Sequence, residues 1–148
     1  ISTREWIKHP GAVCCVPILP NGKIVLIRQY RYAVKQEMIE IPAGKLEQNE
    51  IPEKCALREL EEEIGYRANK LTLLANIHPA VGFTNEKMWL YLAEKLVKTE
   101  QRLDFDELLE PIPTKLDDAV KMVWNGQITD VKTIIGILWA QRMILRKG

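Results

Sequence analysis

The stretch from Gly44 to Tyr66, GKLEQNEIPEKCALRELEEEIGY, constrains this chain more than any other. Proline suits the first turn of a helix and glycine its left-handed end. Pro52 and Gly65 therefore mark out a helix, with Asn49 or Glu50 placed to cap it. At about 100° per residue, Glu59, Glu62 and Glu63 fall on one face and Leu57, Leu60 and Ile64 on the opposite one. One side buries and the other is anionic. Glutamates one turn apart repel by about 0.2–0.5 kcal/mol per pair unless cations intervene, and Arg58 and Lys54 are at hand to intervene. Taken alone, this pattern suits a solvated, glutamate-rich helix face as well as a functional one.

A chain of 148 residues buries about two-thirds of its unfolded surface, enough for a real core, so one domain over residues 1–148 is expected. The composition is 47% hydrophobic and 28% charged, with a net charge of +1. These values argue against disorder and against nucleic acid as a partner. No apolar run approaches the roughly 20 residues of a membrane helix, so no membrane partner is expected. Cys14 and Cys15 are adjacent and would point to opposite faces of a strand. A mutual disulfide is therefore not expected, and a reducing cytoplasm suits the chain. His9 and His78 lack zinc-ligand spacing, which leaves oxygen as the donor for any metal. The sequence opens at Ile1 without methionine or a signal-peptide pattern, as if a native N-terminal piece were missing.

The rest of the chain supplies strands and two further helices. Gly11–Leu19 and Ile24–Tyr30 read as strands joined by a turn at Pro20-Asn21-Gly22-Lys23. Met38–Pro42 is a short extended piece ending in a sharp turn at Pro42-Ala43-Gly44. Glu40 stands unusually inside that apolar run. Leu71–His78 and Lys87–Leu96 are strand-like, and Lys98–Glu110 is an acidic loop. Pro111 and Pro113 limit any strand there to an edge. Helical spacing follows at Leu116–Val123, and Thr129-Asp130 can cap a last helix with Val131, Ile134, Ile135, Leu138 and Trp139 inward. This order suggests a mixed sheet sandwiched by helices.

Gly44, Glu50, Arg58, Glu59, Leu60, Glu62, Glu63 and Gly65 also fall at the fixed spacing of the box of the Nudix hydrolase family, which the chain resembles; Tyr66 stands where that box has an aliphatic residue. The resemblance implies an α/β/α sandwich that hydrolyses a nucleoside diphosphate linked to another group. It implies Mg²⁺, or Mn²⁺ in its place, held by Glu59, Glu63 and Glu62 with the carbonyl of Ala43. Arg58 would brace the carboxylates, and Glu50 would be structural or lie just outside the metal's ligands.

RQYR followed by EIPAG, and later GFTNE, resemble the ADP-ribose pyrophosphatase branch. By that similarity Arg31 holds the substrate, Arg28 is a weaker candidate and Glu40 lies near the nucleotide end of the pocket. Trp6 stacks on adenine or packs at an interface, and Glu107 orients or deprotonates the attacking water, with Asp106 and Glu110 as fallbacks. The branch also implies a homodimer, with Ile1–Lys8 the remnant of an exchanged arm. Val81 stands where the branch carries a proline, which keeps GDP- and UDP-sugars open as alternative substrates. A non-catalytic nucleotide sensor is a further alternative.

Overall fold

The structure is a computed structural model that describes residues 1–103 and 108–147. Its strands are β1 (Ala12–Pro17), β2 (Ile24–Arg31), β3 (Gln36–Glu40), β4 (Ala43–Lys45), β5 (Tyr66–Ile77), β6 (Met88–Lys98) and β7 (Leu109–Thr114). Its helices are α1 (Pro52–Glu59), which runs on as a π-helical turn over Leu60–Ile64, α2 (Leu116–Trp124) and α3 (Val131–Lys147).

Four strands form a mixed sheet in the order β4-β1-β6-β5, in which β1 and β6 run parallel from Ala12 beside Met88. Every residue of β1 is buried, because both faces of this sheet are covered. Ala12, Cys14 and Val16 pack with Ile137 and Ala140 of α3, while Val13 and Cys15 pack with Cys55 and Leu60 on the α1 side. This is the expected layering of helices on both faces of a mixed sheet, with Cys14 and Cys15 on opposite sides. Beside it lies an antiparallel sheet in the order β3-β2-β7, where the prolines of β7 sit on an edge strand as their missing N–H groups require.

Three local expectations are corrected. Residues 43–45 are not a sharp turn but a strand, paired antiparallel to β1 with Ala43 opposite Cys14. The N-cap of α1 is Ile51, with no side-chain cap; Asn49 takes a positive φ of 64° and Glu50 turns elsewhere. On α3 the buried residues include Lys132, Thr133, Ile137 and Ala140, while Trp139 is 42% exposed. Of the residues expected inward, Ile134 and Ile135 do pack against the core, while Val131 is 46% exposed like Trp139, and Gly136 lets the helix approach the sheet closely. A methyl group there would meet Val16 Cγ2 at 2.9 Å and Ile41 Cδ1 at 3.0 Å.

Candidate active site

Arg58 is the hub of the opening stretch. Its Nε and Nη2 donate to the two oxygens of Glu50, both at 2.9 Å, while Nη1 donates to Glu59 at 2.7 Å and to Glu62 at 2.9 Å. Glu50 also accepts the Glu47 N–H at 2.9 Å, which folds the loop back on α1 instead of capping it. The Arg58 hydrogen bonds hold the Glu50 carboxyl down at about 2. Bonding to Glu50, aided by the charge of Glu59, raises Arg58 above the usual guanidinium range.

The π-helical turn ends at Gly65 with φ 68°, the left-handed terminator expected from sequence. Glu63, expected on a solvent-facing surface, is only 3% exposed, and its Oε2 accepts the Ala43 N–H at 3.0 Å. Glu59 lies directly over the β4 backbone, where a methyl group on Gly44 would come within 1.9 Å of its carboxyl carbon.

An open cleft of about 560 Å³ joins Gly44, Arg58, Glu59 and Glu62 to Arg31 and Lys132 on its other side. Arg31 grips Glu40 with two hydrogen bonds, Nε at 2.6 Å and Nη2 at 2.8 Å. Lys132 Nζ approaches the same carboxylate at 2.5 Å and Asp130 at 3.0 Å. Asp130 in turn accepts the Thr133 N–H at 3.0 Å, capping α3 as expected, and the Thr133 hydroxyl oxygen accepts the Ile41 N–H at 2.9 Å. Glu40 is 2% exposed, and burial alone would raise its pKa. The Arg31 hydrogen bonds and the Lys132 charge outweigh burial, so it stays ionised with a lowered pKa. For Lys132, burial works downward and is overcome by Asp130 and Glu40, leaving the ammonium favoured.

The structure thus brings Arg31, Glu40, Ala43, Arg58, Glu59, Glu62 and Glu63 to one cleft or its immediate wall. It does not bring Arg28 or Trp6 there. Arg28, an odd number of residues from Arg31 on the same strand, faces the other way and pairs with Glu110 at 3.3 Å. Trp6, 58% exposed, lies with Val81 and Phe83 at a separate hollow. Glu107 and Asp106 fall outside the described residues. Lys132 escaped the sequence reading, though a glutamate inside an apolar run signals that a cation must be found for it.

Oxygen is the only donor type these carboxylates offer, which suits a hard divalent cation. Among the described residues no three His, Cys, Asp or Glu side chains converge as a ready metal cluster. Arg58 stands between Glu59 and Glu62, and Glu63 is turned to the Ala43 amide. The donor chemistry therefore fits, while the geometry is that of carboxylates gathered by an arginine.

The NUDIX domain family matches residues 8–129. The chain belongs to the NUDIX family. It is 44% identical over 142 residues to an ADP-ribose pyrophosphatase of Bacillus subtilis (strain 168), spanning 95% of this chain and 77% of that protein. It is 42% identical over 142 residues, with the same coverages of 95% and 77%, to a methanol dehydrogenase activator of Bacillus methanolicus. The fold matches that of a crystal structure of an ADP compounds hydrolase, with a TM-score of 0.84 over 93% of this chain and 74% of the other at 24% identity. Gly44 to Gly65 has the spacing of the family's box, and its Glu59 and Glu62 line the cleft that Arg31 and Lys132 also line.

Proposed function

We propose that this protein hydrolyses the diphosphate linkage of ADP-ribose, or of a related ADP-sugar, to AMP and a sugar phosphate. The observation that carries this reading is that the box carboxylates and the Arg31–Lys132 pair open onto one cleft. Carboxylates alone would repel a diphosphate, and cations alone would bind it without cleaving it. The similarity to the B. subtilis pyrophosphatase supports the choice of nucleotide.

Glu59, Glu62 and Glu63, with the Ala43 carbonyl, are the residues to hold Mg²⁺, or Mn²⁺ in its place. When bound, the metal offsets diphosphate charge and lowers the pKa of water. Arg31 donates to diphosphate oxygens from a position fixed by Glu40, and its planar fork suits that task. Arg58 keeps the carboxylates together through its four short hydrogen bonds to Glu50, Glu59 and Glu62. Glu107 takes the proton from the attacking water. As one water is consumed, a phosphorus–oxygen bond breaks and each product leaves as a phosphomonoester. Arg28 has a lesser part at most, since it is engaged by Glu110.

Trp6 serves a second copy of the chain rather than its own cleft. It stands with Ile7 and Phe83 among the exposed large apolar residues, and we read the assembly as a homodimer. No helix among the described residues is long and apolar enough to cross a membrane, and Cys14, Cys15 and Cys55 are free thiols. We assign the protein to the cytoplasm.

Release of phosphomonoester from a panel of ADP-, GDP- and UDP-sugars with Mg²⁺ tests the substrate. ADP-ribose is expected to give the highest kcat/KM; a preference for a GDP- or UDP-sugar would refute it. Glu107→Gln is expected to lower turnover by about 10²–10⁴ with KM largely unchanged.

A further inference from the structure

The NUDIX box and the Arg31–Lys132 pair account for the anionic centre of the substrate and leave its sugar end without a partner. We propose that His9 and Glu86 form a hydroxyl-recognition site for the distal sugar, which makes His9 a specificity-determining residue. This rests on reading the cleft as a nucleoside diphosphate sugar site.

Both side chains line the same cleft. His9 precedes β1 and Glu86 precedes β6. Because those strands run parallel from Ala12 beside Met88, the two residues arrive at the same end of the sheet. The backbone there is tied down. His9 N–H donates to Asn85 Oδ1 at 2.8 Å, Glu86 N–H to Thr84 Oγ1 at 3.2 Å, and the Thr84 hydroxyl to Ile7 O at 3.0 Å.

His9 Nδ1 accepts the Gly11 N–H at 3.1 Å, so the proton of the neutral ring is on Nε2. That Nε2 faces Glu86 Oε1 at 3.6 Å, too far for a hydrogen bond. A donor and an acceptor thus border one gap, with their side chains only 17% and 23% exposed. A sugar hydroxyl is the group that donates and accepts at once, and it completes both.

Charge decides which part of the substrate lies here. A carboxylate repels phosphate oxygens, so Glu86 marks the uncharged, hydroxyl-rich end while Arg31 and Lys132 mark the anionic one. A base could also offer a donor beside an acceptor, and the ligand that keeps the base but lacks the distal sugar separates the two.

Isothermal titration calorimetry with Mg²⁺ and two ligands that resist hydrolysis tests the assignment: α,β-methylene ADP-ribose, which carries the distal sugar, and α,β-methylene ADP, which lacks it. His9→Asn keeps an acceptor for Gly11 at the Nδ1 position and loses the Nε2 donor; His9→Gln places a donor near Nε2. We expect His9→Asn and Glu86→Gln to weaken the ADP-ribose analogue about tenfold, with the ADP analogue unchanged. His9→Gln should recover most of the loss. Wild-type affinity in His9→Asn would show a merely structural histidine and overturn the proposal. Equal weakening of both ligands would place the base or the diphosphate here and overturn it too. Failure of the wild-type protein to bind either ligand would instead refute the proposed function, on which this inference rests.

Discussion

A methyl group on Gly44 would overlap the Glu59 carboxylate, so the box glycine is required by the side chain above it rather than by a turn below it. Gly44→Ala is therefore expected to leave the fold intact and displace Glu59 by about an ångström, lowering kcat/KM by about 10²-fold. Far-ultraviolet circular dichroism alongside steady-state kinetics checks both halves. A second residue-scale consequence concerns Glu40, which is buried against two cations. Lys132→Met removes the better buried of them while Arg31 keeps its two hydrogen bonds to Glu40, and should cost about 1.5–3 kcal/mol in urea unfolding. The double variant Glu40→Met/Lys132→Met should lose less than the sum of the two single variants, because the two residues are coupled.

At the scale of the element, α1 is held to the loop before it by Glu50 rather than capped. The Glu50 carboxyl has its pKa held at about 2 by Arg58, below the ordinary value near 4.3 for an unfolded chain. Its contribution to stability is thus complete above about pH 4.3 and is lost as pH falls through the folded value. Glu50→Gln should unfold more easily than wild type at pH 6, and the gap should close toward pH 2. Acid titrations of both proteins followed by fluorescence would show this convergence.

The box helix was legible in sequence because Pro52, Gly65 and the glutamate spacing all act locally. The Ile51 cap was not, because Glu50 answers to Arg58 across the loop. The part of the inward face of α3 taken by Lys132 was hidden for a related reason. Val131 and Trp139 have the right period, but the buried Glu40 draws Lys132 inward and Gly136 permits the close approach. Periodicity describes a helix by itself; a salt bridge to another element does not appear in it.

For the whole molecule, the thiols report on the core. Burial pushes Cys14 and Cys55 up to about 12 and Cys15 higher than its usual range, with all three packed between the layers. Native protein at pH 8 is expected to resist a thiol reagent such as DTNB, and all three thiols should react once guanidinium opens the sheet. The cleft itself is a whole-molecule product, since Glu59 and Glu62 come from α1 and the turn that continues it, Glu86 from the approach to β6, and Arg31 and Lys132 from β2 and α3.

The parallel pairing of β1 with β6 has a consequence for how the protein is made. Val13 and Cys15, on which the box helix rests, share their cluster with Tyr91, Ala93 and Leu96 of β6. A ribosome delivers the entire NUDIX box before it delivers β6. Until that strand has left the exit tunnel, β1 lacks its central neighbour and the box helix has only part of its floor. The catalytic face is written early in the chain and completed late, so its carboxylates gather only after much of the polypeptide has been synthesised.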